Sequence, residues 1–136
     1  MIVLATNIVS EPIKPGPSKT LIAWWRQQNR DQLYLTAITV AKLKSGIEIL
    51  PSGRRENLLI ESVSETLAEF KGGVLPFDEL TTGAFALVAM RAKARGNQMG
   101  FADASIAAIA LKHAFSLATR QTQDMQDMRW SGGYLD

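Results

Sequence analysis

Four short apolar runs, each followed closely by a polar residue and separated by long stretches of helical period, constrain this 136-residue chain more than any other feature. They run from Met1 to Leu4, Leu33 to Thr36, Val74 to Phe77 and Phe115 to Ala118. Such runs read as buried strands, and strands alternating with helices read as a largely parallel sheet covered on both faces. The expected fold class is α/β, a three-layer sandwich with a small, mostly parallel sheet flanked by helices. The length suits one domain over residues 1–136.

The connections carry their own signals. Ile8 to Glu11 is expected to form one helical turn that Pro12 stops. Pro12, Pro15, Gly16 and Pro17 mark a loop, after which Ser18 caps a helix carrying Leu21, Trp24, Trp25 and Gln28. Two adjacent tryptophans cannot both enter the core, so one faces a partner or a groove, or is simply a partly exposed aromatic. Val40, Leu43, Ile47 and Leu50 mark a further helix, with Thr36 or Thr39 as its cap. Arg54 to Phe70 is long and amphipathic and ends at Gly72-Gly73. Asp78 caps a helix running to Arg95, and an Ala-rich helix runs from Phe101 to His113. His113 reads as a helix-end residue beside the C-terminal dipole. In the tail, one helical turn near Asp124 and an edge strand around Met128 to Trp130 are expected.

Hydrophobic residues make up 46% and charged residues 21%, an ordinary globular balance. No apolar run approaches the ~20 residues needed to span a bilayer, and the first run is too short for a secretory leader. With no cysteine, thiolate and disulfide chemistry are excluded, and a cytoplasmic setting is expected. The net charge of +2 permits nucleic-acid binding without demanding it, because Arg54-Arg55 and Arg91-Lys93-Arg95 also read as solvated helix faces.

In open α/β sheets the ligand crevice lies beyond the carboxyl ends of the strands. Four stretches should converge there: Ala5 to Asn7, Thr39 to Leu43, Ala102 to Ala104, and Ala118 to Gln121 continuing to Asp124. These segments carry a resemblance. MIVLATNIVSEP, LYLTAITVAKLKSGIEILPSGRR, VLPFDE and FADASIAAIALKHAFSLATRQTQDM, in that order, resemble the PIN domains of VapC-type toxins, close to the FitB-like plasmid-stability toxins. The resemblance extends to about Met125. It implies a PIN-like fold and a cytosolic endoribonuclease that cleaves RNA with Mg²⁺ or Mn²⁺. It also implies the toxin half of a type II toxin–antitoxin pair, with a cognate VapB-like antitoxin as partner and a homodimer as assembly. Clustered carboxylates suit that chemistry because hard divalent cations favour oxygen ligands.

Carried over residue by residue, the family's acids are only half present. Its first-strand Asp corresponds to Ala5, which can neither bind a metal nor move a proton. Its second acid, a Glu, corresponds to Lys42. The Asp of its ADA motif is kept as Asp103, although an acid in a helix's first turn can also serve the dipole alone. The fourth acidic position is Gln121 or Asp124. Asn7 and Thr119, with Thr6, are kept as supporting residues. Ala5 and Lys42 both oppose a cation, since one removes a carboxylate and the other installs an ammonium. The expectation is an inactive or strongly impaired ribonuclease in which Lys42 lies near Asp103, and near Asp124, and partly replaces the cation; alternatively its ammonium reaches solvent. Two other readings are a residual one-metal nuclease using Asp103 and Asp124, and a non-catalytic module that binds antitoxin or RNA.

Overall fold

The computed structural model describes residues 1–13, 16–70, 73–96 and 98–119, and the backbone of Tyr134 and Leu135. Strand β1 (Ile2–Leu4) leads into helix α1 (Thr6–Val9), a 3₁₀ turn (Glu11–Ile13) and α2 (Lys19–Gln27). Strand β2 (Leu33–Thr36) is followed by α3 (Ala37–Glu48) and α4 (Arg54–Glu69). After β3 (Val74–Leu75) come α5 (Thr82–Ala94) and α6 (Phe101–His113), then β4 (Ser116–Ala118) and β5 (Tyr134–Leu135). The sheet has five parallel strands in the order β3-β2-β1-β4-β5. Val3 pairs with Tyr34 on one side and with Leu117 on the other, so β1 is the central strand.

A strand covered on both faces sorts its residues by a period of two. Val3 and Leu117 turn to one face and pack against Val88 and Ala92 of α5 and Ala104, Ala107 and Ala108 of α6. Leu4, Leu33, Leu35 and Ala118 turn to the other, where Ile8, Val9, Leu21, Trp25 and Phe70 complete a second core. Every residue from Ala104 to Ala110 is buried, so α6 is surrounded on all sides. Its alanines allow the sheet and α5 to approach that closely, whereas a longer side chain on any face would hold them apart.

The local signals act as their chemistry suggests. The Ser18 hydroxyl accepts the Leu21 N–H at 3.3 Å, and the Thr36 hydroxyl accepts the Thr39 N–H at 3.1 Å, each capping its helix. Several boundaries differ from expectation. The first helical turn starts at Thr6 rather than Ile8, and Pro12 lies inside a 3₁₀ turn instead of stopping the chain. Proline is tolerated there because an N–H in a first turn has no intrahelical acceptor anyway. The third strand ends at Leu75, since Pro76 offers no N–H to a ladder. Asp78 caps a 3₁₀ turn (Glu79–Thr81) that precedes α5 rather than capping one continuous helix. Trp25 is buried, with the Arg30 guanidinium 4.9 Å from its ring centre; Trp24 is half-buried against the same core instead of standing free for a partner. The expected edge strand at Met128 to Trp130 and the turn near Asp124 lie outside the described residues; the outer strand seen beside β4 is β5.

Two features generate stability predictions. Ala114 ends α6 in the left-handed region (φ 56°, ψ 36°), its N–H bonded to the Leu111 carbonyl and the Phe115 N–H to the Ala110 carbonyl, both at 3.0 Å. A Cβ there costs about 1–2 kcal/mol, which glycine avoids at some loss in the unfolded chain. Ala114→Gly is therefore expected to stabilise the fold by ~0.5–1 kcal/mol, read as a higher urea midpoint at unchanged slope. The second feature is Asp78, whose carboxylate accepts bonds from Lys112 Nζ at 3.2 Å and the Thr81 hydroxyl at 3.0 Å. Lys112 first, then Thr81, hold its carboxyl below the ordinary range. A lowered folded-state pKa contributes stability above the unfolded pKa and loses it as pH falls through the folded value. Urea titrations of Lys112→Met should show a small deficit at neutral pH that shrinks as the medium becomes acidic enough to protonate Asp78.

Candidate active site

The strand order reverses at β1, which has β2 on one side and β4 on the other. At such a switch point the flanking connections leave to opposite faces and open a crevice beyond the carboxyl ends. A pocket of about 210 Å³ opens there, lined by Ala5, Thr6, Asn7, Ser10, Lys42 and Asp103. Ala5, Thr6 and Asn7 follow β1, Lys42 projects from the second turn of α3, and Asp103 lies in the first turn of α6. The sequence-predicted residues Ala5, Thr6, Asn7, Lys42 and Asp103 are thus brought together. Thr119, at the end of β4, is buried and accepts a bond from the Asn7 amide at 3.5 Å, tying the ends of β1 and β4. Gln121 and Asp124 lie outside the described residues.

A string of hydroxyls runs from Thr6, in the pocket's lining, to two buried threonines. Thr36 and Thr39 are fully buried; the Thr36 hydroxyl lies 3.5 Å from that of Thr39, which is 3.1 Å from the Thr6 hydroxyl. Buried hydroxyls keep fixed positions when each has a partner, so this string locks α1 against the start of α3. In the sequence Thr36 and Thr39 carried only the signal of a helix cap. Ser10 was missed, because nothing in its local pattern marks it. Also missed was Glu11, buried to 3% exposure and accepting the Ser18 N–H at 2.8 Å, which ties the first connection to α2. An acid directly before a proline in an apolar turn was the available signal.

The charged residues are arranged differently from a carboxylate cluster. Ala5 is 6% exposed and forms the N-cap of α1 with no side-chain acceptor for the helix's first N–H groups. Asp103 is half-buried and Lys42 exposed. No ion pair joins Lys42 to Asp103 among the described residues, although both line the pocket. Among the described residues no group of three or more His, Cys, Asp or Glu side chains could hold a metal ion. Among the described lining residues, one carboxylate, two hydroxyls and an amide beside a lysine do not fit Mg²⁺ or Mn²⁺, which favour several oxygen ligands and no competing cation. His113, at the end of α6, stacks on Phe115 with ring centres 5.3 Å apart, far from a catalytic base's role in this pocket.

A larger apolar groove, about 460 Å³, runs between α3 and α4. Leu43, Ile47, Leu50, Leu58, Leu59 and Val63 line it, and Ser10 borders both groove and pocket. No described helix is long and apolar enough to cross a membrane.

Comparison with known proteins agrees with this architecture. The PIN domain family model matches residues 2–129. Toxin FitB of Neisseria gonorrhoeae is 39% identical over 123 residues, covering 90% of this chain and 88% of FitB. VapC ribonuclease Y4jK of Sinorhizobium fredii is 40% identical over 127 residues, covering 93% and 91%. The crystal structure of FitAcB from Neisseria gonorrhoeae superposes with a TM-score of 0.90 at 36% identity, covering 100% of this chain and 97% of that one. A match of that extent, on a sheet with its crevice beyond β1 and β4, means that the chain belongs to the PIN domain family.

Proposed function

We propose that this chain is the toxin half of a type II toxin–antitoxin pair, a single cytoplasmic PIN-like domain derived from metal-dependent endoribonucleases, and that its own RNA cleavage is absent or strongly reduced. The observation that carries the second part is the pocket itself, where Asp103 is the one carboxylate among the described lining residues and faces Lys42 and Ala5. The first part draws on relatives: FitB is named a toxin and Y4jK a ribonuclease. Metal-assisted hydrolysis of a phosphodiester needs oxygen ligands, which this lining has largely lost. Asn7, Thr6 and Thr119 keep the frame on which such ligands would stand, while Gln121 and Asp124 remain candidates for the fourth position.

The partner is a VapB-like antitoxin. The α3–α4 groove supports this reading, because its lining is mostly apolar side chains, which a partner's apolar residues could cover. Leu58 at 54% exposure and Ile49 at 84% present apolar side chains beside it. Leu80, Met90 and Phe101 are also exposed and suit a homodimer contact. The groove equally serves a non-catalytic module that sequesters antitoxin, and cleavage assays separate the two.

Incubated with total RNA and MgCl₂, the chain is expected to leave the RNA intact. Ala5→Asp/Lys42→Glu should cut at least ~100-fold faster, the scale expected when supporting partners of metal ligands alone are worth roughly 10–100-fold. A well-folded double variant that stays inert would remove the ribonuclease part of the proposal. For the partner, the product of the adjacent reading frame should co-purify with the chain, and Leu58→Lys should weaken that complex by at least ~10-fold in calorimetry. Equal affinity of Leu58→Lys and the unaltered chain would move the docking surface elsewhere.

A further inference from the structure

The pocket's frame is intact although its charges are not. Thr6, Thr39 and Thr36 form a continuous hydroxyl string, and Asn7 bridges to Thr119. Ala5 and Lys42, which stand where the family resemblance implies acids, both line the same space of about 210 Å³ as Asp103. Ala5 puts a methyl group where β1 ends, so its side chain offers no oxygen there. Lys42 brings one basic side chain to the same described lining as its one acid, Asp103.

We infer that this pocket is a divalent-cation site converted to an internally neutral one: the chain takes up no Mg²⁺ or Mn²⁺, and the Lys42 ammonium supplies the positive charge that balances Asp103. The inference rests on the PIN nuclease reading above. Its physical basis is that a cation entering the pocket would meet one carboxylate and one ammonium, with no net field to repay the loss of its water shell. With Asp103 the one carboxylate in the described lining, no cluster of like charges there calls for a cation, and the ammonium offsets that single charge without forming a contact ion pair. The fold of this chain is therefore independent of metal. The same frame with carboxylates restored would acquire metal-linked stability.

The test uses the full chain and MnCl₂, with binding read as heat in calorimetry and as a shift in melting temperature. The unaltered chain should show neither heat nor shift at millimolar Mn²⁺. Ala5→Asp, which adds a carboxylate but keeps the ammonium, should bind weakly. Ala5→Asp/Lys42→Gln, which also removes the charge while keeping most of the side chain, should bind at least ~10-fold more tightly than Ala5→Asp, with melting that rises with Mn²⁺. Micromolar Mn²⁺ binding by the unaltered chain would overturn the inference. So would equal affinities for the two variants, because Lys42 would then not be what opposes the cation. Should the double variant unfold without metal, its recovery on adding Mn²⁺ supports the inference, and failure to recover counts against it. These readouts do not involve RNA. A double variant that binds Mn²⁺ but leaves RNA whole would sink the ribonuclease reading while this one stands.

Discussion

The structure depends on the burial of β1 between two neighbours and two helical layers. Its three residues pair with β2 and β4, and each side chain enters one of two separate cores. That position forces the chain to leave β1 for β2 on one side and to return to β4 on the other. The crevice is a by-product of this reversal, not of any particular side chain. Ala5 to Asn7 consequently sit at the crevice whatever their chemistry. A strand buried on both faces is also hard to change without disturbing both cores.

The second layer makes a complementary demand. Helix α6 is enclosed all round, so its register against the sheet and α5 is set by alanines that leave no room for sliding. Asp103, at the open end of that helix, is thereby held toward the pocket by packing that lies one to two turns away. On the opposite layer the hydroxyl string from Thr36 through Thr39 to Thr6 does the same for α3 and α1. Pocket geometry and pocket charge thus come from different residues, and one can change without the other.

Much of the fold was legible in the chain. Short apolar runs gave the strands, Ser18, Thr36 and Asp78 gave helix starts, and the alanines from Phe101 onward gave a helix suited to burial. Boundaries were less legible where neighbours overrode local preference. Thr6 to Val9 became helical because Ala5 ends its ladder on Ala118 and the chain must turn at once, while the strand at Val74 was cut short by Pro76. Trp24 and Trp25 look equivalent in sequence, yet helix rotation buried one and half-buried the other. At the site, Thr39 gave no more signal than a cap, Ser10 gave none, and Glu11 became recognisable only when its carboxylate was found buried on the Ser18 N–H.

The sequence by itself determined the α/β class and the family resemblance, since these follow from composition, period and motif order. Only the tertiary structure decided that Ala5, Lys42 and Asp103 border one space, that Lys42 makes no ion pair with Asp103, and that the hydroxyls of Thr6, Thr39 and Thr36 line up in one string. The physical reason is that periodicity reports which face of an element is buried, whereas the meeting of residues about 37 and 61 positions apart depends on strand order and on how far each helix rotates against the sheet.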